Sequence, residues 1–251
     1  MFTENFCHYI LLFVLGLVTG SIIRGVVLRY CGERSTRISS SACSKSIFSP
    51  GNFFSLQNLL FPGAKGDRVS KAVLARYFLP GLVSAALFLL SYYYLHFSAD
   101  FVKYIVIFNL LLLISCIDLK VGLIPNRFVF IIFIWVLLWQ LFYPRLSSLS
   151  ALTGFLTGAG LFYIIAQLSK GGMGGGDVKL VAVLGLASGL PDVLIIIMLS
   201  FVLGAITGLT LIICRRKTRR DALPFAPFLS LAFILVSFWG REIWQWYLVS
   251  M

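Results

Sequence analysis

Long apolar runs alternate with short polar segments along the whole of this chain. Eight such runs are recognisable, and their approximate bounds are Ile10–Leu28, Phe78–Phe97, Tyr104–Ile117, Phe128–Phe142, Leu149–Leu168, Val178–Leu190, Val193–Cys214 and Phe225–Leu248. A run of about 20 apolar residues can cross a bilayer as a helix, which satisfies its own backbone hydrogen bonds. The pattern predicts an all-α, polytopic membrane protein of about eight transmembrane helices. The third and sixth runs are short for a full crossing.

The distribution of charge supports this fold and predicts an orientation. Charged residues make up 12% of the chain, against about 25% in soluble domains. If the N-terminus lies outside, 18 of the 21 Lys and Arg residues fall on the cytoplasmic side, as the positive-inside rule requires. We therefore interpret the net charge of +12 as membrane topology, and we expect the lipid bilayer, not nucleic acid, as a partner.

The apolar runs also divide the chain into three parts. Residues 1–28 are expected to form the first transmembrane helix, and residues 78–251 the remaining membrane core. Residues 29–77 between them form a polar, Ser-rich and basic segment that we place in the cytoplasm. A segment of this size builds an independent core only with a staple such as a metal or disulfides.

Two of the nine acidic residues, Asp118 and Asp177, directly adjoin the two short apolar runs. Taken singly, Asp118 is compatible with a charge at a helix end, and Asp177 with a helix N-cap. The predicted topology places both on the cytoplasmic side. Because an ionisable group at membrane depth is costly, a pair of them indicates a functional site.

Asp177 follows a glycine-rich run, Gly171–Gly176, that is interrupted only by Met173. Glycines allow unusual backbone angles and close approach of another chain, so this run can border a slot for an extended peptide. A Walker phosphate loop is excluded because the GK[ST] element is absent, and no βαβ unit supports a dinucleotide fingerprint. Neither HExxH nor GxSxG occurs.

Two carboxylates that converge in a partly dry site point to aspartic protease chemistry. Like charges at close range share one proton. The ionised member accepts a proton from water, which attacks a carbonyl, while the protonated member donates to the carbonyl oxygen. We therefore expect Asp118 and Asp177 to be catalytic, with no metal or cofactor needed for cleavage.

The strings around these residues resemble the motifs of type IV prepilin peptidases, which are GxGD aspartyl proteases. The match consists of IDLKVGLIPNRF at Ile117–Phe128, GGMGGGDVKL at Gly171–Leu180, LPFAPFLSLAF at Leu223–Phe233 and GSIIRGVVLRY at Gly20–Tyr30. In the third string Ala226 replaces the usual Gly. The resemblance extends over most of the chain, in the family's order. It implies that supporting motif positions surround the two aspartates, namely Gly174, Gly175, Gly176, Lys179, Ile124 and Pro125.

This resemblance implies an endopeptidase in the bacterial inner membrane, with its active site facing the cytoplasm. Its substrate would be the basic leader of a type IV prepilin or a type II secretion pseudopilin. Members of the family commonly also methylate the new N-terminus, using S-adenosylmethionine.

The chain departs from the family in the region usually associated with methyl transfer. Only Cys31 and Cys43 occur in residues 29–77, so the zinc tetracysteine site of many relatives cannot form. Gly81 stands where the family has a Glu after Arg76 and Tyr77. We therefore expect cleavage without zinc, and S-adenosylmethionine as a cofactor only if methyl transfer is retained.

Two alternatives remain open on the sequence. One is another GxGD protease, such as a preflagellin peptidase or a presenilin-like enzyme, although Ile117 and the Ile124-Pro125 pair favour the prepilin branch. The other is an ion-coupled transporter whose paired acids bind protons or cations.

Overall fold

The computed structural model describes residues 2–38, 71–168, 173–214 and 223–249. These residues form eight α-helices and no strand, which confirms the all-α prediction for the described part of the chain. In chain order the helices are α1 Phe2–Ile38, α2 Lys71–Leu95, α3 Ala99–Val121, α4 Asn126–Phe142, α5 Ser148–Leu168, α6 Gly175–Ser188, α7 Asp192–Ile213 and α8 Ala226–Val249.

Four of these helices are long and apolar enough to cross a membrane. The spans are Cys7–Cys31 in α1, Ala99–Val121, Ser148–Leu168 and Asp192–Ile213. The expectation that the third run is too short was wrong, because α3 has 23 residues. Polar residues at both ends of α3 limit the apolar run, but they are still part of the helix. By contrast, α6 has only 14 residues.

The bundle places apolar side chains outward and several polar groups inward. Large hydrophobic residues are exposed along the helices, for example Leu141, Tyr163 and Leu168, whereas Asp118 is only 5% exposed. In water, so many exposed apolar side chains would form large and unfavourable hydrophobic patches. In lipid it is the expected arrangement, because the buried polar groups can hydrogen-bond within the bundle.

One compact unit comprises residues 1–101 and contains α1 and α2. Small residues let these two helices pack closely: Gly16 meets Ala85, and Gly20 meets Gly81. The Oγ1 of Thr19 and the Oγ of Ser84 also lie 2.8 Å apart. Small residues with an interhelical hydrogen bond are typical of packing between membrane helices.

These bounds differ from the parts expected from the sequence. Helix α1 continues to Ile38 and α2 begins at Lys71, so both ends of the expected loop 29–77 are helical. Polar residues end the membrane-compatible part of a helix without ending its hydrogen-bond pattern. Residues 39–70 lie outside the described part, and α2 belongs with α1 and not with the remaining core.

The second compact unit, residues 102–251, contains the other helices and the two predicted catalytic aspartates. Helices α5 and α6 cross where Gly154 and Gly185 meet, backbone against backbone. At the start of α3, the Nζ of Lys103 donates to the carbonyl of Ala187 at 3.0 Å. Because Ala187 lies in the last turn of α6, this bond places the beginning of α3 beside the end of α6.

Candidate active site

Asp118 lies in the last turn of α3, and the beginning of α8 holds its carboxylate. The backbone N–H of Ala226 donates to its Oδ2 at 3.0 Å, and the N–H of Phe225 also donates to this carboxylate. Pro224 and Pro227 flank these donors, and proline is favoured where a helix begins because it needs no amide partner there. The first N–H groups of a helix carry partial positive charge and bind anions.

A pair of buried serines supports this arrangement. The Oγ atoms of Ser115 on α3 and Ser230 on α8 lie 2.8 Å apart. Ser230 also donates to the carbonyl of Ala226 at 2.8 Å. One turn separates Ser115 from Asp118, and one turn separates Ser230 from Ala226. The serine pair therefore joins the same two helix segments that carry the carboxylate and its donor.

Asp177 lies in the first turn of α6, just before the apolar run Val178–Leu190. Gly174 is the N-cap in an extended conformation, and the N–H of Asp177 donates to its carbonyl at 3.1 Å. Burial, followed by the nearby charge of Asp118, raises the pKa of Asp177 to about 6, although a backbone hydrogen bond at Gly174 acts in the opposite direction. Asp177 is therefore able to hold a proton near neutral pH.

The antiparallel arrangement of α3 and α6 brings the two aspartates together. Lys103 and Ala187 are bonded at one end of this pair. Asp118 lies 15 residues after Lys103 on α3, which is about 22 Å along the helix axis. Asp177 lies ten residues before Ala187 on α6, which is about 15 Å. Because the helices are antiparallel, both aspartates lie on the same side of the bond between Lys103 and Ala187. At this other end, the charge of Asp118 raises the pKa of Asp177. Repulsion of this kind acts between carboxylates that share a site.

The other predicted motif residues lie around this pair. Ile124 approaches Gly176 so closely that a Cβ on that glycine would lie 2.8 Å from the Cβ of Ile124. Pro125 is buried and is the N-cap of α4. Glycine at 176 therefore lets the segment before α4 contact the first turn of α6.

Two further motif residues face more open surroundings. The Nζ of Lys179 donates to the Oδ1 of Asn126 at 3.2 Å, which links α6 to the beginning of α4. Gly175 has open space where a Cβ would stand. The remaining aspartates of the described helices, Asp100 and Asp192, lie in the first turns of α3 and α7. Asp100 is thus at the opposite end of α3 from Asp118.

The sequence interpretation did not include the groups that hold Asp118. It noted LPFAPFLSLAF as a motif but assigned no role to Phe225 or Ala226. Two prolines beside the start of a predicted helix were the available signal, because a helix N-terminus offers unpaired donors. Ser115 had a weaker signal: it precedes Asp118 by three residues, on the same face of an apolar helix.

This geometry brings an anchored carboxylate close to a second carboxylate that can hold a proton. Such a pair can take a proton from water and give one to a carbonyl oxygen. Among the described residues, no group of three or more His, Cys, Asp and Glu side chains is placed to hold a metal ion.

Known proteins resemble the part of the chain that contains this site. Residues 105–209, which include both aspartates, match the type IV leader peptidase family. The chain is 28% identical to a prepilin leader peptidase/N-methyltransferase of Bacillus subtilis, over 95% of this chain and 97% of that protein. Proteins of the same name from Xanthomonas campestris and Legionella pneumophila are 32% and 40% identical, over 57% and 35% of this chain.

The extent of these matches differs. The alignment covers 52% of the Xanthomonas protein and 30% of the Legionella protein, whereas it covers nearly all of the Bacillus protein. No solved structure matches the chain significantly.

Proposed function

We propose that this chain, which matches the type IV leader peptidase family over residues 105–209, is a membrane protease that removes the basic leader from type IV prepilins or type II secretion pseudopilins. Asp118 and Asp177 are its catalytic pair. The observation that carries this proposal is the juxtaposition of an anchored Asp118 with an Asp177 whose pKa is raised by burial and by the charge of Asp118.

The surroundings of the two acids support different roles. Burial disfavours a charge on Asp118, and the backbone N–H groups at the start of α8 oppose this effect by donating to its carboxylate. Because Asp177 has no such pair of helix donors in our proposal, we assign Asp118 as the ionised member and the base. Asp177 holds the shared proton and is the acid, in agreement with its raised pKa. A hydrogen bond to a charged group contributes roughly 1.5–3 kcal/mol, which is enough to bias the position of one proton.

The reaction then proceeds in two steps. Asp118 takes a proton from water as the water oxygen bonds to the scissile carbonyl carbon, and Asp177 gives its proton to the carbonyl oxygen. The resulting gem-diol collapses: Asp118 gives its proton to the amide nitrogen, the C–N bond breaks, and one gem-diol hydroxyl returns a proton to Asp177. The pair ends as it began, with one shared proton.

The proposed topology makes this site reachable for such a substrate. The N-terminus lies outside, both aspartates face the cytoplasm of a bacterial inner membrane, and residues 102–251 form the peptidase core. A basic leader is attracted to an anionic pair, while the apolar segment that follows it stays in lipid. The high fraction of basic residues on the cytoplasmic side supports this orientation.

Methyl transfer does not follow from the described residues. The names of the relatives include N-methyltransferase. However, residues 39–70 lie outside the described part, and Gly81, which stands where the family has a Glu, packs against Leu17 and Gly20 of α1. These contacts do not form a binding site for S-adenosylmethionine.

A cleavage assay in membranes tests the proposal. Wild type, Asp118→Asn and Asp177→Asn are compared on a type IV prepilin and on a pseudopilin, with S-adenosylmethionine supplied. Mass spectrometry of the mature N-terminus reports cleavage and any added methyl group together. We expect cleavage by the wild type only, with each Asn variant reduced by at least about 10³-fold.

Asp100→Asn and Asp192→Asn are matched controls that remove a carboxylate elsewhere in the bundle, and both should cleave normally. Near-normal turnover by either Asp118→Asn or Asp177→Asn would refute the catalytic pair. Failure of the wild type on every pilin and pseudopilin would refute the substrate class and favour another GxGD substrate or ion transport.

A further inference from the structure

A groove of about 660 Å³ opens between α4, α5 and α6. Its wall is almost wholly apolar, and three polar residues, Asn126, Arg127 and Lys179, lie at one end. The apolar residues that line it are Val129, Phe130, Phe133, Phe155, Ala159, Val178, Ala182 and Val183. Neither catalytic aspartate is part of the lining, so the groove is a neighbour of the catalytic site and not its cleft.

The size of the groove restricts what can occupy it. From Asn126 to Phe133 the lining follows α4 for seven residues, or about 10 Å along the helix axis. A helix about 10 Å in diameter fills roughly 420 Å³ per turn, so the groove accommodates about a turn and a half. It is too small for a crossing helix but suits a flexible alkyl chain.

The charges at the mouth restrict the occupant further. Arg127 lies in the first turn of α4 and Lys179 in the second turn of α6, and both are exposed. The bond from Lys179 to Asn126 holds the ammonium group at the mouth and leaves further N–H donors for a ligand. Because the lining contains no Asp or Glu, the mouth has a net positive charge.

We propose that this groove binds one acyl chain of an anionic phospholipid, whose phosphate is held by Arg127 and Lys179. Basic pockets between membrane helices on the cytoplasmic side bind anionic headgroups, and in the proposed orientation this mouth faces the cytoplasm. Charge-assisted hydrogen bonds from a guanidinium group to phosphate add geometric specificity. The site lies beyond the peptidase function, and the lipid-binding measurements that test it do not depend on cleavage.

Native mass spectrometry of the full-length protein in detergent tests this site. Dioleoylphosphatidylglycerol and dioleoylphosphatidylcholine are titrated separately, because they share acyl chains and differ in headgroup charge. We expect the wild type to bind the anionic lipid preferentially. Arg127→Gln should weaken this binding by about fivefold, the effect of one basic residue near a membrane surface.

Lys120→Gln is the matched control for charge. Lys120 is exposed at the end of α3 and does not line the groove, so its removal should leave anionic lipid binding unchanged. Equal binding of the two lipids by the wild type, or equal effects of Arg127→Gln and Lys120→Gln, would overturn the proposal.

A second variant tests the apolar part. Ala159→Phe on α5 fills the groove and should reduce binding of both lipids, in proportion to the lost space. Thermal melting and the bound detergent profile show whether this variant is folded. If Ala159→Phe abolished prepilin cleavage but kept normal binding of the anionic lipid, the groove would be a peptide subsite and the lipid proposal would be wrong.

Discussion

The end of α3 and the beginning of α6 each carry one carboxylate, and they hold it in different ways. Asp118 is buried, and backbone N–H groups at the start of α8 donate to it. Asp177 is half-buried and follows a glycine run in which Gly175 has open space where a Cβ would stand. One acid is fixed by a neighbouring helix, whereas the other belongs to a more open turn.

This difference is the basis for the opposite tasks that we propose for two identical side chains. The helix N-terminus favours negative charge on Asp118. Burial and that neighbouring charge favour the protonated form of Asp177, whose pKa is raised to about 6. In the proposed mechanism the environment, not the residue type, therefore assigns the base and the acid.

Lengthening each acid by one methylene group tests the comparison most directly. Asp118→Glu moves a buried carboxylate away from donors that cannot follow it, so we expect a loss of cleavage on the order of 10³-fold. Asp177→Glu should lose only about tenfold, because the surrounding turn has room to adjust. Single-turnover rates in membranes measure both, and equal losses would show that the two acids are held alike.

The contact between Gly176 and Ile124 gives the next largest effect. Gly176→Ala places a Cβ against the side chain of Ile124 and should displace the first turn of α6, for a loss of about 10²-fold. Gly175→Ala is the control, because nothing lies within 4 Å of its new methyl group. Similar activities of the two variants would mean that the position of Asp177 does not depend on this contact.

Loss of the Ser230 hydroxyl should have a smaller effect. Ser230→Ala removes the contacts to Ser115 and to the carbonyl of Ala226, and we expect kcat to fall by about three- to tenfold with KM unchanged. Ser230→Thr should restore the rate because it keeps the hydroxyl. Ser237 makes a similar bond to its own helix, so an Ala there that slowed cleavage equally would indicate a general effect on α8.

The raised pKa of Asp177 predicts a small, pH-dependent change in stability. The folded protein binds the Asp177 proton more tightly than the unfolded chain, so the wild type loses stability as pH rises from about 4 to about 6. Asp177→Asn removes this loss. Its melting temperature should exceed that of the wild type by a few degrees at pH 8 and match it near pH 4. A difference that did not change with pH would rule out the shifted pKa.

Much of this site could be predicted from the chain because its signals are local. Asp118 and Asp177 are conspicuous as acids beside apolar runs, and the glycines before Asp177 mark a turn of unusual freedom. The length and apolar character of the runs predicted helices at the positions where the described residues form them. Helix ends were less predictable: α3 continues through Asp118 and Lys120 because a charged side chain does not break backbone hydrogen bonds.

The sequence by itself determined the class of fold and the turn before Asp177, and it predicted the chemistry that we propose for the two acids, since each depends on residues that are neighbours along the chain. Only the tertiary structure decided which group holds Asp118, because Ala226 lies 108 residues away from it. The same is true of the serine pair and of the contact between Ile124 and Gly176. Such contacts depend on how helices cross and at which residue they meet, which side-chain packing between distant segments determines.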